Sequence, residues 1–536
     1  MTKPGESRYN PNTVTKNRKQ AADGPPGDEP YRFVLDGRKL TLEALDRAWG
    51  RRLEVEIDER IWTRIDKSAE VVRKIAAGTT AAYGINTGFG HLCNKRIEPD
   101  QVASLQTNLI LSHAVGVGDP APDAIVRWMM LLKIQALTPG VSGVSRQTID
   151  VLRRMLNADI LPVIPTQGSL GASGDLAPLA HMVLAMIGKG TVRVDGRVES
   201  ADKALSRAGI EPVTLGPKEG LGLINGTQFM AAYGTALVIH ARRLFKYADL
   251  MGCMSLEAFS GSIKPFDERL NRLRPHPGAL QTADNIRRMM AGSQILESHI
   301  DCDRVQDPYS LRCMPQVHGA SRDAGQHAAT IFEIEINAVT DNPIILDGQD
   351  VISGGLFHGQ PLALALDYLA IALAELASIS ERRIYLLLSG AAGLPVSLMK
   401  DTGLNSGFMM PQYTAAALVS ENKGLCMPAS VDSIPTSLGQ EDHVSMGARA
   451  AVKGWQVLAN TKTVLAIEQL CAAQALDFRA PLRPGIGPAI ALREIRKVIV
   501  HAERDRLFGE DIQASLDLLC TNRVVEAVER EIGPLE

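Results

Sequence analysis

The sequence has few aromatic residues and almost no excess charge of either sign. Aromatic residues make up 4% of its 536 positions, and the formal net charge is −3. A basic surface for nucleic acid or for an anionic membrane is therefore not predicted. We expect a partner of neither kind and a small-molecule substrate instead.

Cysteine is also scarce and is not arranged in pairs. The seven cysteines are odd in number and widely spaced, and no Cys-x-x-Cys occurs. This pattern favours a reduced, cytoplasmic protein in which cysteine acts as a small hydrophobic residue. Zincin, P-loop and dinucleotide-binding patterns are missing as well, so neither a metal nor a dissociable cofactor is predicted.

The first thirty residues lack the apolar core that a signal peptide needs. They are polar and contain Pro4, Pro11, Pro25 and Pro26. We predict a disordered tail over residues 1–30.

Helical periodicity dominates the remainder, where 45% of the whole chain is hydrophobic. Apolar residues recur at three- and four-residue intervals over residues 121–137, 146–158, 236–261 and 361–390. Short strand-like runs occur at 32–40, 190–198 and 343–355, and Asp-Gly turns mark the last two as hairpins. The pattern predicts a mainly α protein with long helices in a bundle and a few short hairpins.

The segment TQGSLGASGDLAPLAHM, Thr166 to Met182, contains unusually small residues just before a predicted helix. One interpretation is an ordinary helix start, with Ser173 or Asp175 as the N-cap. The other is chemical: the amide nitrogen of Gly174 attacks the carbonyl carbon of Ala172 and water leaves. Loss of a second water from Ser173 then gives an exocyclic methylidene, an electrophile that no standard side chain supplies. Glycine tolerates the compressed backbone that this closure needs.

A longer sequence match bears on the choice between the helix start and the electrophile. GSLGASGDLAPLAH resembles the active-site segment of the histidine and aromatic amino-acid ammonia-lyases. Six further segments match in the family's order: residues 83–90 (YGINTGFG), 105–118, 219–228, 306–320, 340–344 and 433–446. The resemblance implies the fumarase/aspartase-like helical bundle and a 4-methylidene-imidazol-5-one (MIO) that the chain forms itself from Ala172, Ser173 and Gly174. It also implies a homotetramer with active sites shared between subunits.

The resemblance further divides the chain and assigns roles. Residues 31–230 would carry the Ala-Ser-Gly electrophile, and residues 231–536 would form the central bundle and the C-terminal helices. The implied roles are the β-proton base for Tyr83, a second phenol for Tyr309, the carboxylate clamp for Arg312, amide contacts for Asn225 and Gln306, and an aromatic wall for Phe357.

Three other residues bear on the substrate. Ser112-His113 matches the histidine branch of the family, although some tyrosine aminomutases share this pair. Glu441 can accept a hydrogen bond from an imidazole N–H or take up a proton, whereas a phenyl ring would leave its charge unpartnered. Met409 is apolar, as the histidine branch has it beside the ring. The resemblance thus implies elimination of ammonia from L-histidine to give trans-urocanate.

Some positions depart from the family's pattern on the binding side of the site. Asn is common in place of Leu356, FHAEP in place of FHGQP around Gln360, and His-Pro in place of Met427-Pro428. These departures leave the elimination chemistry unchanged. They leave an alternative function open, that of a lyase or a 2,3-aminomutase that acts on tyrosine or on another amino acid.

Overall fold

The structure, a computed structural model, describes residues 29–78, 81–88, 97–98, 101–300, 304–346 and 350–536. Most of these residues are helical. The helices are α1 (Leu42–Ala48), α2 (Glu59–Ala77), α3 (Val102–His113), α4 (Asp123–Leu137), α5 (Arg146–Asn157), α6 (Leu176–Met186), α7 (Ala201–Arg207), α8 (Glu219–Ile224), α9 (Gln228–Ala258), α10 (Glu268–Asn271), α11 (Pro277–Met289), α12 (Gln294–Glu297), α13 (Tyr309–Arg312), α14 (Met314–Glu335), α15 (Gln360–Leu388), α16 (Met409–Leu425), α17 (Gly447–Asp477), α18 (Ile486–Arg496), α19 (Phe508–Cys520) and α20 (Arg523–Ile532).

The strands are short and form small separate sheets. They are β1 (Tyr31–Leu35), β2 (Leu53–Ile57), β3 (Val117–Pro120), β4 (Leu161–Pro162), β5 (Pro165–Gln167), β6 (Thr191–Val194), β7 (Arg197–Ser200), β8 (Ile344–Leu346) and β9 (Asp350–Ile352). β1 pairs with β2 in parallel, β3 with β5 antiparallel, and β4 with β6 antiparallel. Both predicted hairpins are present, as the antiparallel pairs β6–β7 and β8–β9. The prediction of a mainly α protein with a few hairpins is confirmed.

The core lies where α9, α14, α15 and α17 pack against one another. Long apolar faces drive this packing, because burial removes Leu, Ile, Ala and Met side chains from water. A fully buried ion pair joins two of the helices: Arg383 Nε of α15 lies 2.5 Å from Glu468 Oε1 of α17. The apolar bundle thus contains a buried ion pair between two of its helices.

Helix α15 is also long and apolar enough to cross a membrane by length and composition alone. Its most apolar window is 67% buried within the protein, as in the core helix of a bundle.

Helix α9 begins earlier than the periodicity predicts. The pattern indicates a helix from residue 236, whereas α9 begins at Gln228. The first turn has no side-chain cap from its own segment. Asp175 Oδ2 instead accepts the backbone N–H groups of Phe229 and Met230, at 2.9 and 3.0 Å. A cap from so distant a residue leaves no local signal in the sequence.

The predicted disordered tail falls almost wholly on residues 1–28, which lie outside the described residues, as do Cys93 and Cys302. Among the described residues, Cys253, Cys313, Cys426 and Cys471 are free thiols.

Candidate active site

Ala172 and Ser173 of the Ala-Ser-Gly triplet lie on the wall of a cavity of about 470 Å³. The cavity lies between the triplet, the loop before α9, the loop before α15 and the loop before α17. Its lining residues are Tyr83, Gly171, Ala172, Ser173, Asn225, Asn342, Ser353, Gly354, Phe357, His358, Gln440, Glu441, Asp442, His443 and Val444.

The triplet has a compressed backbone. Ser173 has a φ of 49°, in the left-handed region that non-glycine residues rarely adopt, and Gly174 has a φ of 86°. The N–H of Gly174 donates to the carbonyl of Gly171 at 3.0 Å, which closes a tight turn around the triplet. Strain of this kind persists only when the surrounding structure holds it in place.

A second stretch of backbone holds that turn from the other side. Gly226 N–H donates to the Ser173 carbonyl at 3.1 Å, and Asp175 N–H donates to the Gly226 carbonyl at 2.7 Å. A Cβ on Gly174 would lie 2.1 Å from the Gly226 oxygen. The two backbones therefore meet so closely that only glycine fits at position 174.

Asp175 directly follows the triplet and links it to helix α9. Helix α6 begins at Leu176, as predicted, but the Asp175 side chain does not cap that helix. It caps α9 instead, and its Oδ1 has no hydrogen-bond partner among the described residues. Burial raises the pKa of Asp175 to about 7.

Asn225 is buried at the cavity wall. Its Nδ2 donates to the Leu221 carbonyl at 3.1 Å, and its own backbone carbonyl accepts from Lys133 Nζ at 2.7 Å. Lys133 lies on α4, in an otherwise uncharged stretch, and burial lowers its pKa to about 7. Sequence reasoning missed this residue, although one lysine within WMMLLKIQAL is a signal that could have found it.

Tyr83 and Glu441 line the same cavity, on loops far apart in the sequence. His113, the last residue of α3, is half-buried, and Ser112 Oγ lies 3.0 Å from its Nδ1. Burial lowers the pKa of His113, and the negative charge of Glu441 opposes that change. Glu441 and His113 therefore lie within electrostatic range of each other.

The cavity lining includes two histidines that the sequence did not single out. The rings of His358 and His443 stack at 6.0 Å with an angle of 14°. His358 Nε2 lies 3.2 Å from the His443 carbonyl oxygen. They join Phe357 in the lining, and with it they supply flat surfaces on which a planar ring can lie.

The other predicted site residues lie elsewhere. Arg312 donates to Gln306 Oε1 at 2.9 Å, and its guanidinium lies 4.4 Å from the ring centre of Tyr309. Gln306 and Arg312 line a separate cavity of about 750 Å³, and Tyr309 is 71% exposed. Met409 is exposed at the first turn of α16 and does not line the triplet cavity. A single chain thus brings together only part of the predicted site.

The departures from the family's pattern cluster near one loop. Gln360 Nε2 donates to the Ser430 carbonyl at 2.9 Å, and the nearby Met427 is 74% exposed. Leu356 is exposed beside the cavity residue Phe357. None of these three side chains is among the lining residues of the triplet cavity.

The residues that the structure describes contain no group of three His, Cys, Asp or Glu side chains that could hold a metal ion. The chemistry available at the cavity is that of a compressed Ala-Ser-Gly turn, a phenol, a buried amide, a carboxylate and imidazoles.

Known proteins share this sequence and this fold. The family model described as aromatic amino acid lyase matches residues 40–497. A histidine ammonia-lyase of Sorangium cellulosum is 50% identical, over 94% of this chain and 100% of its own. The crystal structure of histidine ammonia-lyase from Trypanosoma cruzi superposes with a TM-score of 0.86 at 40% identity, covering 94% of this chain and 96% of its own.

A tyrosine aminomutase from Streptomyces globisporus has a similar structure, with a TM-score of 0.87 at 36% identity, covering 94% of this chain and 99% of its own. The fold is therefore shared by enzymes with different named substrates. The long-helix bundle is that of the ammonia-lyases and aminomutases, as the sequence predicted. The chain belongs to the aromatic amino acid lyase family, and it is an ammonia-lyase.

Proposed function

We propose that this enzyme removes ammonia from L-histidine and gives trans-urocanate, in L-histidine degradation. The observation that carries the proposal is one cavity that holds the Ala-Ser-Gly turn, Tyr83, Asn225 and Glu441 together. Near 50% identity to proteins named histidine ammonia-lyase supports the same substrate.

The residues present fit an MIO group made from Ala172, Ser173 and Gly174. The Ser173 φ of 49° and the bond from Gly174 N–H to Gly171 belong to a turn already compressed for closure. The group supplies an electrophile that takes up the substrate amine and so makes ammonia a better leaving group. It is formed by the chain itself, so no dissociable cofactor is proposed.

The residues around the triplet then have separable tasks. Tyr83 removes the β-proton, and nearby groups must help it because a phenol has an ordinary pKa of about 10. The side-chain amide of Asn225 hydrogen-bonds the carbonyl of the electrophile or the substrate. Arg312 binds the substrate carboxylate with its planar fork, assisted by Gln306, and Tyr309 adds a second phenol.

Specificity for an imidazole is assigned to Glu441. Its carboxylate accepts the imidazole N–H of the substrate or takes up a proton. His113 lies within its electrostatic range, which supports a polar end to the pocket. Phe357 and Met409 provide apolar contacts to the ring.

We infer a homotetramer in which subunits share each active site. Gln306, Tyr309 and Arg312 form a cluster that lies outside the triplet cavity of the same chain. Helices α15 and α16 also carry exposed apolar side chains, including Leu364, Tyr368 and Tyr413. An apolar surface of this kind is typical of subunit interfaces. The free thiols of Cys253, Cys313, Cys426 and Cys471 suit a cytoplasmic enzyme.

The test is the ultraviolet absorbance of the purified enzyme with L-histidine, and with L-tyrosine and L-phenylalanine in parallel. A conjugated product that grows only with histidine is the expected result. Product from tyrosine alone, or conversion of tyrosine to its β-isomer, would instead support the aminomutase alternative that Gln360 and Met427 keep open.

A further inference from the structure

Lys133 is an unusual residue for its surroundings. It is 1% exposed and lies on α4, where every residue from Trp128 to Leu137 is buried. Among the described residues, no carboxylate lies within ion-pair distance of its Nζ, and its hydrogen bond goes to the backbone carbonyl of Asn225 at 2.7 Å. A buried ammonium without a paired carboxylate is costly, which indicates a task at that carbonyl.

The carbonyl of Asn225 and the N–H of Gly226 belong to the same peptide group. That N–H donates to the Ser173 carbonyl at 3.1 Å. Lys133 and Ser173 therefore lie at opposite ends of one polarisable peptide. Hydrogen bonds in such a chain strengthen one another, and a charged donor at one end does so most.

The Ser173 carbonyl is the oxygen that matters for the electrophile. In the proposed ring this carbonyl stays conjugated to the methylidene that forms from the Ser173 side chain. Negative charge that develops when a nucleophile attacks the methylidene carbon reaches this oxygen, so a stronger donor there lowers the barrier to attack.

We propose that Lys133 is a positioning residue that orients and polarises the Asn225–Gly226 peptide toward the Ser173 carbonyl. This inference rests on the proposed closure of the triplet. Other charged groups near Lys133 are Asp341, Lys218 and Asp175. Lys218 and Asp341 form their own ion pair at 2.8 Å, which leaves Lys133 as the amine that donates to the Asn225 peptide.

The test is the reaction of the full-length protein with cyanide, followed by intact mass. Cyanide adds to the methylidene carbon through one new C–C bond, and water supplies one proton, so each modified chain gains the mass of one HCN. This measurement needs no turnover. The variants are Lys133→Met, which removes donor and charge, and Lys133→Gln, which keeps a neutral donor.

Lys453→Met is the matched control. Lys453 is also buried, and its Nζ also donates to a backbone carbonyl, that of Met427 at 2.7 Å, but unlike Lys133 it has an ion-pair partner, Asp367, at 2.5 Å. We expect Lys133→Met to react with cyanide about tenfold more slowly than the wild type, with Lys133→Gln between the two and Lys453→Met at the wild-type rate. If Lys133→Met does not fold, the cyanide reaction rates of Lys133→Gln and Lys453→Met are compared instead.

The masses before cyanide is added separate this inference from the proposed function. Wild-type protein lighter than its sequence by two waters, together with equal cyanide rates in all variants, would overturn the role of Lys133 and leave the lyase proposal intact. A folded Lys133→Met protein at its full mass beside a dehydrated wild type would support the positioning role. Wild-type protein at its full mass would overturn both proposals.

Discussion

At the scale of single residues, a substitution at Ser173 can separate the backbone geometry of the triplet from its chemistry. Ser173→Ala keeps the small size and the turn but removes the hydroxyl that must leave as water. We expect this variant to fold normally, to keep the mass of an uncyclised backbone and to lose turnover to background. Circular dichroism, intact mass and urocanate absorbance together check this, and wild-type turnover would contradict the electrophile.

Glu441 tests the specificity argument. It is half-buried at the cavity and its carboxylate carries a proposed contact to the substrate imidazole. Glu441→Gln should lower kcat/KM for L-histidine by about 100-fold or more, because an amide cannot take up a proton. Thermal unfolding should stay close to wild type. Unchanged kinetics would place the imidazole against another part of the cavity.

At the scale of elements, Asp175 connects the triplet to helix α9. Its folded pKa of about 7 lies above its ordinary value of 3.8, so the folded state binds more protons between those values. The contribution of Asp175 to stability is therefore present at acid pH and is lost as pH rises toward 7. Asn keeps the acceptor for the Phe229 and Met230 N–H groups without the charge.

We therefore expect the free energy of unfolding to fall less for Asp175→Asn than for the wild type as the pH rises from about 4 to about 7. Urea unfolding at both pH values measures this. Asp175→Ala, which removes the acceptor, should be less stable than Asp175→Asn by about 1 kcal/mol. Identical pH dependence in wild type and Asp175→Asn would argue against a raised pKa.

The crosslink between α15 and α17 gives a second element-scale prediction. Arg383 bonds Glu468 through two nitrogens, and Glu468 also accepts the Ser255 and Ser380 hydroxyls. Arg383→Met should lower stability by about 3–5 kcal/mol, because a buried carboxylate is left without its cation. The double variant Arg383→Met/Glu468→Gln should recover most of the loss in urea unfolding; no recovery would show that the loss comes from packing.

Sequence reasoning predicted elements well where the signal was local. Periodicity located α4 and α5 closely, and Asp-Gly turns located the two hairpins. The start of α9 was missed because its cap comes from Asp175, and Lys133 was missed because its partner is a backbone carbonyl far along the chain. His358 and His443 likewise meet only through the fold.

At the scale of the whole molecule, the predicted site divides into two groups of residues. Tyr83, Asn225, Phe357 and Glu441 line the triplet cavity, whereas the cluster around Arg312 does not. Motifs in the correct order cannot show whether their side chains meet within one chain or across a subunit interface. The roles of these residues therefore stay predictions that an assembly experiment can test.

Co-expression of two inactive variants is that experiment. If a triplet from one subunit works with Arg312 from another, Ser173→Ala mixed with Arg312→Gln should regain up to about one quarter of wild-type activity. The control pair, Ser173→Ala with Glu441→Gln, places a lesion in every triplet cavity and should regain none. Failure of the first pair, with mixed assemblies verified by affinity tags, would contradict shared sites.

The support of the triplet comes from segments that are synthesised after it. Gly226 donates to Ser173, the Phe357 carbonyl would lie 3.0 Å from a Cβ on Gly174, and Met446 N–H donates to the Leu170 carbonyl at 3.0 Å. While the ribosome is still adding those residues, none of these three contacts can hold the turn compressed. We therefore expect the proposed closure of the triplet only after Met446 has been added, so chains that end before it should keep the mass of an uncyclised backbone and should not capture cellular amines.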